Sequence, residues 1–219
     1  MAFDLDGTLV ETLPDLHESA NRMLAQIGQP AVSEATVRAY VGDGVDRLVK
    51  RLLTGEANDE PDAVSFEKAA ENFRGHYANV LTRASRPFTG ALSTLEVLRS
   101  RGFKLACVTN KPARFTDPLL KALGLTAYLD QIVSGDSLPR KKPDPLPLLH
   151  IAQAFAIAPA HLLMVGDSPV DTGAARAAGC PVFCVPYGYR GTLPVQELDC
   201  DAIVPTLRDL LDLITIPRS

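Results

Sequence analysis

Short apolar runs set off by glycine, proline, asparagine or aspartate organise this chain. The clearest are Leu105-Ala106-Cys107-Val108, Leu162-Leu163-Met164-Val165 and Pro181-Val182-Phe183-Cys184-Val185, with weaker ones at Gln131-Ile132-Val133 and Ala202-Ile203-Val204. Runs of this length suit strands buried on both faces of a parallel sheet. Between them lie helix-like stretches at Leu92 to Arg101, Pro118 to Leu123, Pro145 to Phe155, Asp171 to Ala178 and Leu207 to Leu213. Gly102, Gly124 and Gly179 follow three of these, as expected just past a helix C-terminus. The alternation predicts an α/β class: a Rossmann-like parallel sheet with helices on both faces.

Residues 13–83 break the alternation. They carry helical patterns at Leu16 to Ile27, Ala35 to Tyr40, Val45 to Leu53 and Phe66 to Leu81, and no buried-strand run. The reading is therefore a core of residues 1–12 and 84–219 with a small all-helical insert, 13–83, after the first strand. Polar or proline-containing segments near 12 to 15 and 83 to 87 join the two parts and are expected to act as hinges. That first strand has only Met1 to about Leu5 available, which is short for a central strand.

Composition narrows the function. The chain has 219 residues, 46% of them hydrophobic, a formal charge of -4 and a pI near 5.6. That is enough apolar content for a real core, and it leaves no basic footprint for nucleic acid. No apolar stretch reaches the length of a membrane span, and no charged segment followed by an apolar one opens the chain. Cys107, Cys180, Cys184 and Cys200 sit mostly in or beside apolar runs without paired metal-ligand spacing, and His17, His76, His150 and His161 stand singly. Free buried thiols fit a reduced, cytoplasmic home.

Four polar features fall at the C-terminal ends of expected strands, where open parallel sheets bind ligands. They are Asp4-Leu5-Asp6-Gly7-Thr8-Leu9, Thr109-Asn110, Lys142-Pro143, and Gly166-Asp167-Ser168 with Asp171. Singly, each has a bland reading: a turn cap, a helix N-cap, a solvated lysine. Their order and spacing together resemble the haloacid dehalogenase superfamily over nearly the whole chain, and the helical insert lies where that superfamily places its first type of cap domain.

The resemblance implies Asp4 as nucleophile, Asp6 as general acid and base, Thr109 and Lys142 as phosphate binders, and Asp167 as a metal ligand. The implied cofactor is Mg²⁺, which prefers oxygen ligands and keeps several waters. The carboxylates of Asp4 and Asp167 and the backbone carbonyl of Asp6 would hold it. Asn110 is expected to donate an amide to the phosphate, and Asp171 to orient a metal-bound water or Lys142, or else simply to favour a helix N-terminus. Within the superfamily, an acid at Asp6 implies phosphatase or phosphomutase chemistry, because an alkoxide leaving group needs a proton.

Further segments are similar to the bacterial phosphoglycolate phosphatases: Val41-Gly42-Asp43-Gly44, Thr109-Asn110-Lys111-Pro112, Lys141-Lys142-Pro143 and Tyr187-Gly188-Tyr189. That resemblance implies 2-phosphoglycolate, hydrolysed to glycolate, as the substrate; a monomer or homodimer is expected. Gly42 and Gly44 allow a tight turn with exposed amides, and Arg47 is expected to add a fork of donors for a carboxylate. The alternative is a sugar-phosphate phosphatase or mutase, since Gly44-Val45-Asp46-Arg47 is also similar to the cap loop of β-phosphoglucomutase.

Overall fold

The computed structural model describes residues 1–56 and 58–214; residue 57, in the expected insert, and residues 215–219, at the end of the expected core, lie outside the described residues. In chain order β1 (Ala2–Phe3) and β2 (Val10–Glu11) lead into α1 (Leu13–Gln26), α2 (Glu34–Tyr40), α3 (Val45–Thr54) and α4 (Ala63–Val80). Then come β3 (Arg86–Pro87), α5 (Ala91–Ser100), β4 (Ala106–Val108), α6 (Ala113–Ala122), β5 (Gln131–Val133) and α7 (Leu146–Phe155). β6 (Met164–Gly166), α8 (Pro169–Ala178), β7 (Val182–Cys184), β8 (Ala202–Ile203) and α9 (Leu210–Leu213) complete the described elements.

Six strands form one sheet in the order β5-β4-β1-β6-β7-β8, and every pair is parallel. The chain winds outward from β1 through β4 to β5, then crosses to the other side of β1 and winds out again from β6. The crevice between β1 and β6 is thus the topological switch point, where such sheets bind ligands. The two faces follow from strand alternation. Ala2, Ala106, Val108, Met164 and Val182 face a cluster with Leu148, Ile151 and Phe155 of α7 and Ala174 and Ala175 of α8. Phe3, Cys107 and Val165 face the opposite way, toward Leu95 and Leu98 of α5 and Leu119 and Leu120 of α6.

Helices α1 to α4 pack on one another, and Leu16, Met23, Leu48, Val49, Phe73 and Tyr77 are buried in the same apolar cluster as the second sheet face. Ser33 and Asp62 start α2 and α4 as N-caps, accepting from Thr36 N (3.1 Å) and Ser65 N (3.0 Å). No described helix is long and apolar enough to cross a membrane.

Two features differ from the pattern-based reading. Helix α6 begins at Ala113, well before Pro118, which lies inside it. The proline removes one hydrogen bond, but Phe115 and Thr116 ahead of it are buried with Leu119 and Leu120, and that packing outweighs the loss. The second is a two-stranded antiparallel ribbon, β2 with β3, pairing Val10 with Pro87 and Glu11 with Arg86. It lies where the chain leaves the core for α1 and returns from α4. Beside it the buried carboxylate of Asp15 accepts from Ala84 N (2.9 Å), Ser85 N (2.7 Å) and Ser85 Oγ (2.6 Å), joining the outgoing linker to the returning one.

Candidate active site

The loop after β1 turns back at once: the Leu5 carbonyl accepts from Leu9 N (3.1 Å) and Val10 N (2.9 Å), which lifts Asp6 over the end of the strand. Asp4 N donates to the Val165 carbonyl (2.9 Å), setting Asp4 beside the β6 end that carries Asp167. The segment after β5 brings in Lys142, whose Nζ donates to Asp4 Oδ1 (2.8 Å) and Asp171 Oδ1 (2.6 Å). Asp4, Lys142, Asp167 and Asp171 are all buried.

Asp171 is engaged on both of its oxygens. It closes a capping box with Ser168 at the start of α8 and also holds Lys142. Its Oδ2 accepts from Asp167 N (3.1 Å), Ser168 N (3.1 Å) and Ser168 Oγ (2.7 Å). Asp167 is fixed by Thr8 Oγ1 on Oδ1 (2.7 Å) and by the Tyr189 amide on Oδ2. Gly188 permits that approach, because a Cβ there would stand 2.3 Å from the Asp167 side chain.

Oxygens of Asp4, Asp167 and Asp171 lie within 4.8 Å of one another. Three buried carboxylates against one ammonium leave an excess of two negative charges. Burial, then Asp171 and Asp6, push the Asp4 carboxyl up to about 7 against the pull of Lys142. Burial and the neighbouring Asp171 and Asp4 raise Asp167 well above the carboxylate range. Burial alone would lower Lys142, but Asp171 and Asp4 outweigh it and raise it. Such a cluster fits a divalent cation with oxygen ligands. Both Asp171 oxygens are engaged by protein donors, whereas Asp4 Oδ2 has no hydrogen bond among the described residues.

A pocket opens above this cluster. Its core side is Asp4, Asp6, Thr109, Asn110 and Lys111; its other side is Leu16, Val41, Gly42, Gly44, Val45 and Leu48 from the helical segment. Gly42 and Gly44 take positive φ values of 132° and 91°, the turn expected there. That turn rests on the core: Asn110 Nδ2 donates to the Gly42 carbonyl (3.2 Å) and Lys141 Nζ to the Asp43 carbonyl (2.6 Å).

Arg47 departs from expectation. Arg47 does not line the pocket; it pairs with Glu60 at 3.0 Å, an arrangement that its place on the outer side of α3 allows. Asn110 lines the pocket, and its side-chain Nδ2 donates to the carbonyls of Gly42 and Lys142 (2.9 Å), bracing two loops. Asp43 is neutralised by Arg51 at 2.6 Å.

Sequence reasoning gave no role to Lys111 or Thr12. Lys111 Nζ stands 2.9 Å from both Asp6 oxygens and 4.8 Å from the Tyr77 ring centroid, and Thr12 Oγ1 donates to Asp6 Oδ1 (2.6 Å). For Lys111 a signal existed: it immediately follows Thr109-Asn110 at a strand end. Thr12 carried none.

Comparison with known proteins agrees with this geometry. The family model for haloacid dehalogenase-like hydrolases matches residues 1–185. The phosphoglycolate phosphatase of Thiobacillus denitrificans is 52% identical over 98% of this chain and 95% of that one. That of Nitrosospira multiformis is 51% identical over 96% and 93%. A crystal structure of a predicted phosphoglycolate phosphatase from Haemophilus somnus superposes with a TM-score of 0.91 at 36% identity, covering 97% of this chain and 96% of that one. With the family's model spanning most of its length and relatives this similar over nearly all of it, the chain belongs to the haloacid dehalogenase-like hydrolases.

Proposed function

We propose that this protein is a Mg²⁺-dependent phosphatase that hydrolyses 2-phosphoglycolate to glycolate, with residues 13–83 acting as its cap domain. The observation that carries the reading is the buried Asp4–Lys142–Asp171 chain at the switch point, with Asp6 two residues further on facing a small pocket. The curated relatives named above support the choice of substrate.

The carboxylate of Asp4 attacks phosphorus and becomes an aspartyl-phosphate. Lys142, held between Asp4 and Asp171, brings an ammonium to the phosphoryl oxygens, and Thr109 adds a hydroxyl. Asp6 gives a proton to the departing glycolate oxygen, then takes one from the water that attacks the acyl-phosphate. Asp4, Asp167 and the Asp6 carbonyl would hold Mg²⁺, which when bound cancels carboxylate charge that would otherwise repel the phosphate. The apolar wall of Leu16, Val41, Val45 and Leu48 keeps bulk water off the site. Free cysteines and the small phosphorylated substrate agree with a cytoplasmic enzyme.

The test is phosphate release from 2-phosphoglycolate, glucose 1-phosphate and an aryl phosphate, with and without chelator. Preference for 2-phosphoglycolate, activity abolished by chelation, and a folded but inactive Asp4→Asn variant are expected. Faster turnover of glucose 1-phosphate, or its isomerisation, would refute the substrate; an active Asp4→Asn would refute the covalent step.

A further inference from the structure

We infer that Lys111 is the specificity-determining residue of this site, pairing with a carboxylate carried next to the ester carbon of the substrate. The inference deepens the phosphoglycolate reading and rests on it.

Few charges reach the pocket. Among the described residues, the helical segment contributes aliphatic side chains and two glycines to the lining. The cations nearby are committed elsewhere: Arg47 to Glu60, Arg51 to Asp43, Lys141 to the Asp43 carbonyl, and Arg38 to the carbonyls of Tyr187 and Gly188. Lys142 lies on the phosphate side with Asp4 and Asp171. Among the described lining residues Lys111 is the one cation. A carboxylate placed among leucine and valine side chains without a partner carries a large desolvation penalty. An anionic leaving group therefore needs Lys111.

Position then sets the length of the substrate. Lys111 is 3% exposed, so its stem is fixed, and the Tyr77 ring backs the ammonium. An ammonium has three protons. Two of them meet Asp6 Oδ1 and Oδ2, and the third has no acceptor among the described residues. Since Asp6 must reach the leaving oxygen, Lys111 Nζ stands one residue's contact from that oxygen. A carboxylate on the adjoining carbon is then within reach of Lys111, while the rest of the described lining on the helical side is aliphatic or glycine and gives a more distant carboxylate no cation. Charge and reach are thus selected by the same side chain, and it comes from the core instead of the expected cap arginine.

The test is a cycle of two enzymes and two substrates: wild type and Lys111→Met, each with 2-phosphoglycolate and with the phosphate ester of glycolamide, in which a neutral amide replaces the carboxylate. Wild type should favour the acid in kcat/KM by about tenfold or more, as a charge-assisted hydrogen bond implies. In Lys111→Met the ratio should fall to about one or below, as expected for an unpaired carboxylate. A partly misfolded variant, or one with a misplaced Asp6, slows both substrates alike and leaves the ratio intact, which would overturn the inference. Thr12→Val removes the other Asp6 hydrogen bond without touching the ammonium. It should preserve the ratio; collapse there as well would assign discrimination to Asp6 and overturn the inference too. Should wild type turn over a longer phosphorylated acid faster than phosphoglycolate, the proposed substrate fails, while that acid and its amide read Lys111 in the same cycle.

Discussion

Replacing Asp15 by alanine should loosen the junction between the two parts of the chain more than any nearby surface change. The carboxylate is fully buried and gathers three donors, Ala84 N, Ser85 N and Ser85 Oγ. Ala84 is exposed, so its N–H can turn to water, and the Ser85 hydroxyl can rotate. The Ser85 N–H is buried and has no such escape. Leaving it unpaired costs about 1–3 kcal/mol, and losing the charge-assisted bonds adds to that, for a total of about 3 kcal/mol. In a domain of this size that corresponds to a fall in Tm of about 9 °C. Asp15→Asn keeps one oxygen for Ser85 and should lose about half as much. Thermal unfolding followed by circular dichroism gives the shift, and amide exchange at Ser85 tells whether the loss is local. An Asp15→Ala protein melting within about 2 °C of wild type would show that these hydrogen bonds are already replaced by water and refute the accounting.

Stability without metal should fall as pH rises through 7. The folded Asp4 carboxyl titrates near 7 against an ordinary 3.8, so between those values the folded state holds a proton the unfolded state has lost. Melting in chelator from pH 5 to 9 should decline, and Mg²⁺ should restore more at pH 8 than at pH 5; a rising profile would contradict it. Gly188→Ala should displace Asp167 and raise the Mg²⁺ needed for half-maximal activity at least tenfold, since the added carbon falls 2.3 Å from that side chain; an unchanged Mg²⁺ titration would refute the crowding. The buried Tyr77 hydroxyl has no partner among the described residues. Tyr77→Phe should therefore be neutral or stabilising by about 1 kcal/mol, and a loss of that size would reveal a bond through water.

The legible parts of this molecule are those where one residue type answers one need. Strands buried on both faces have to be apolar throughout, so the runs at 105–108, 162–165 and 181–185 located the inner sheet to within two residues. The helices of 13–83 showed through their period. The ribbon of Val10–Glu11 with Arg86–Pro87 did not, because two residues per strand carry no alternation and proline argues against a ladder. Within the site, Asp4, Asp6, Lys142, Asp167 and Asp171 meet where their strand ends implied. What a side chain turns toward was less visible. Arg47 finds Glu60, thirteen residues away along the chain, and Asn110 finds two carbonyls, one on each side of the cleft. Such partners depend on loop paths that no local pattern records.

The β2–β3 ribbon has a mechanical consequence. Two separate linkers would let the helical part slide, shear or twist against the sheet. Paired strands side by side, pinned by Asp15 to the first turn of α1, behave as a single strap that resists stretching and sliding yet can still bend and twist. Were residues 13–83 to swing, such a strap would favour rotation about itself over sliding. Displacement then grows with distance from the axis. Leu16 follows the strap by only one turn of α1, whereas the Gly42–Gly44 turn lies beyond α2 and rests on the core through Asn110 and Lys141. Both lie on the helical side of the pocket, one beside the strap and the other held to the core by hydrogen bonds that such a rotation would have to break.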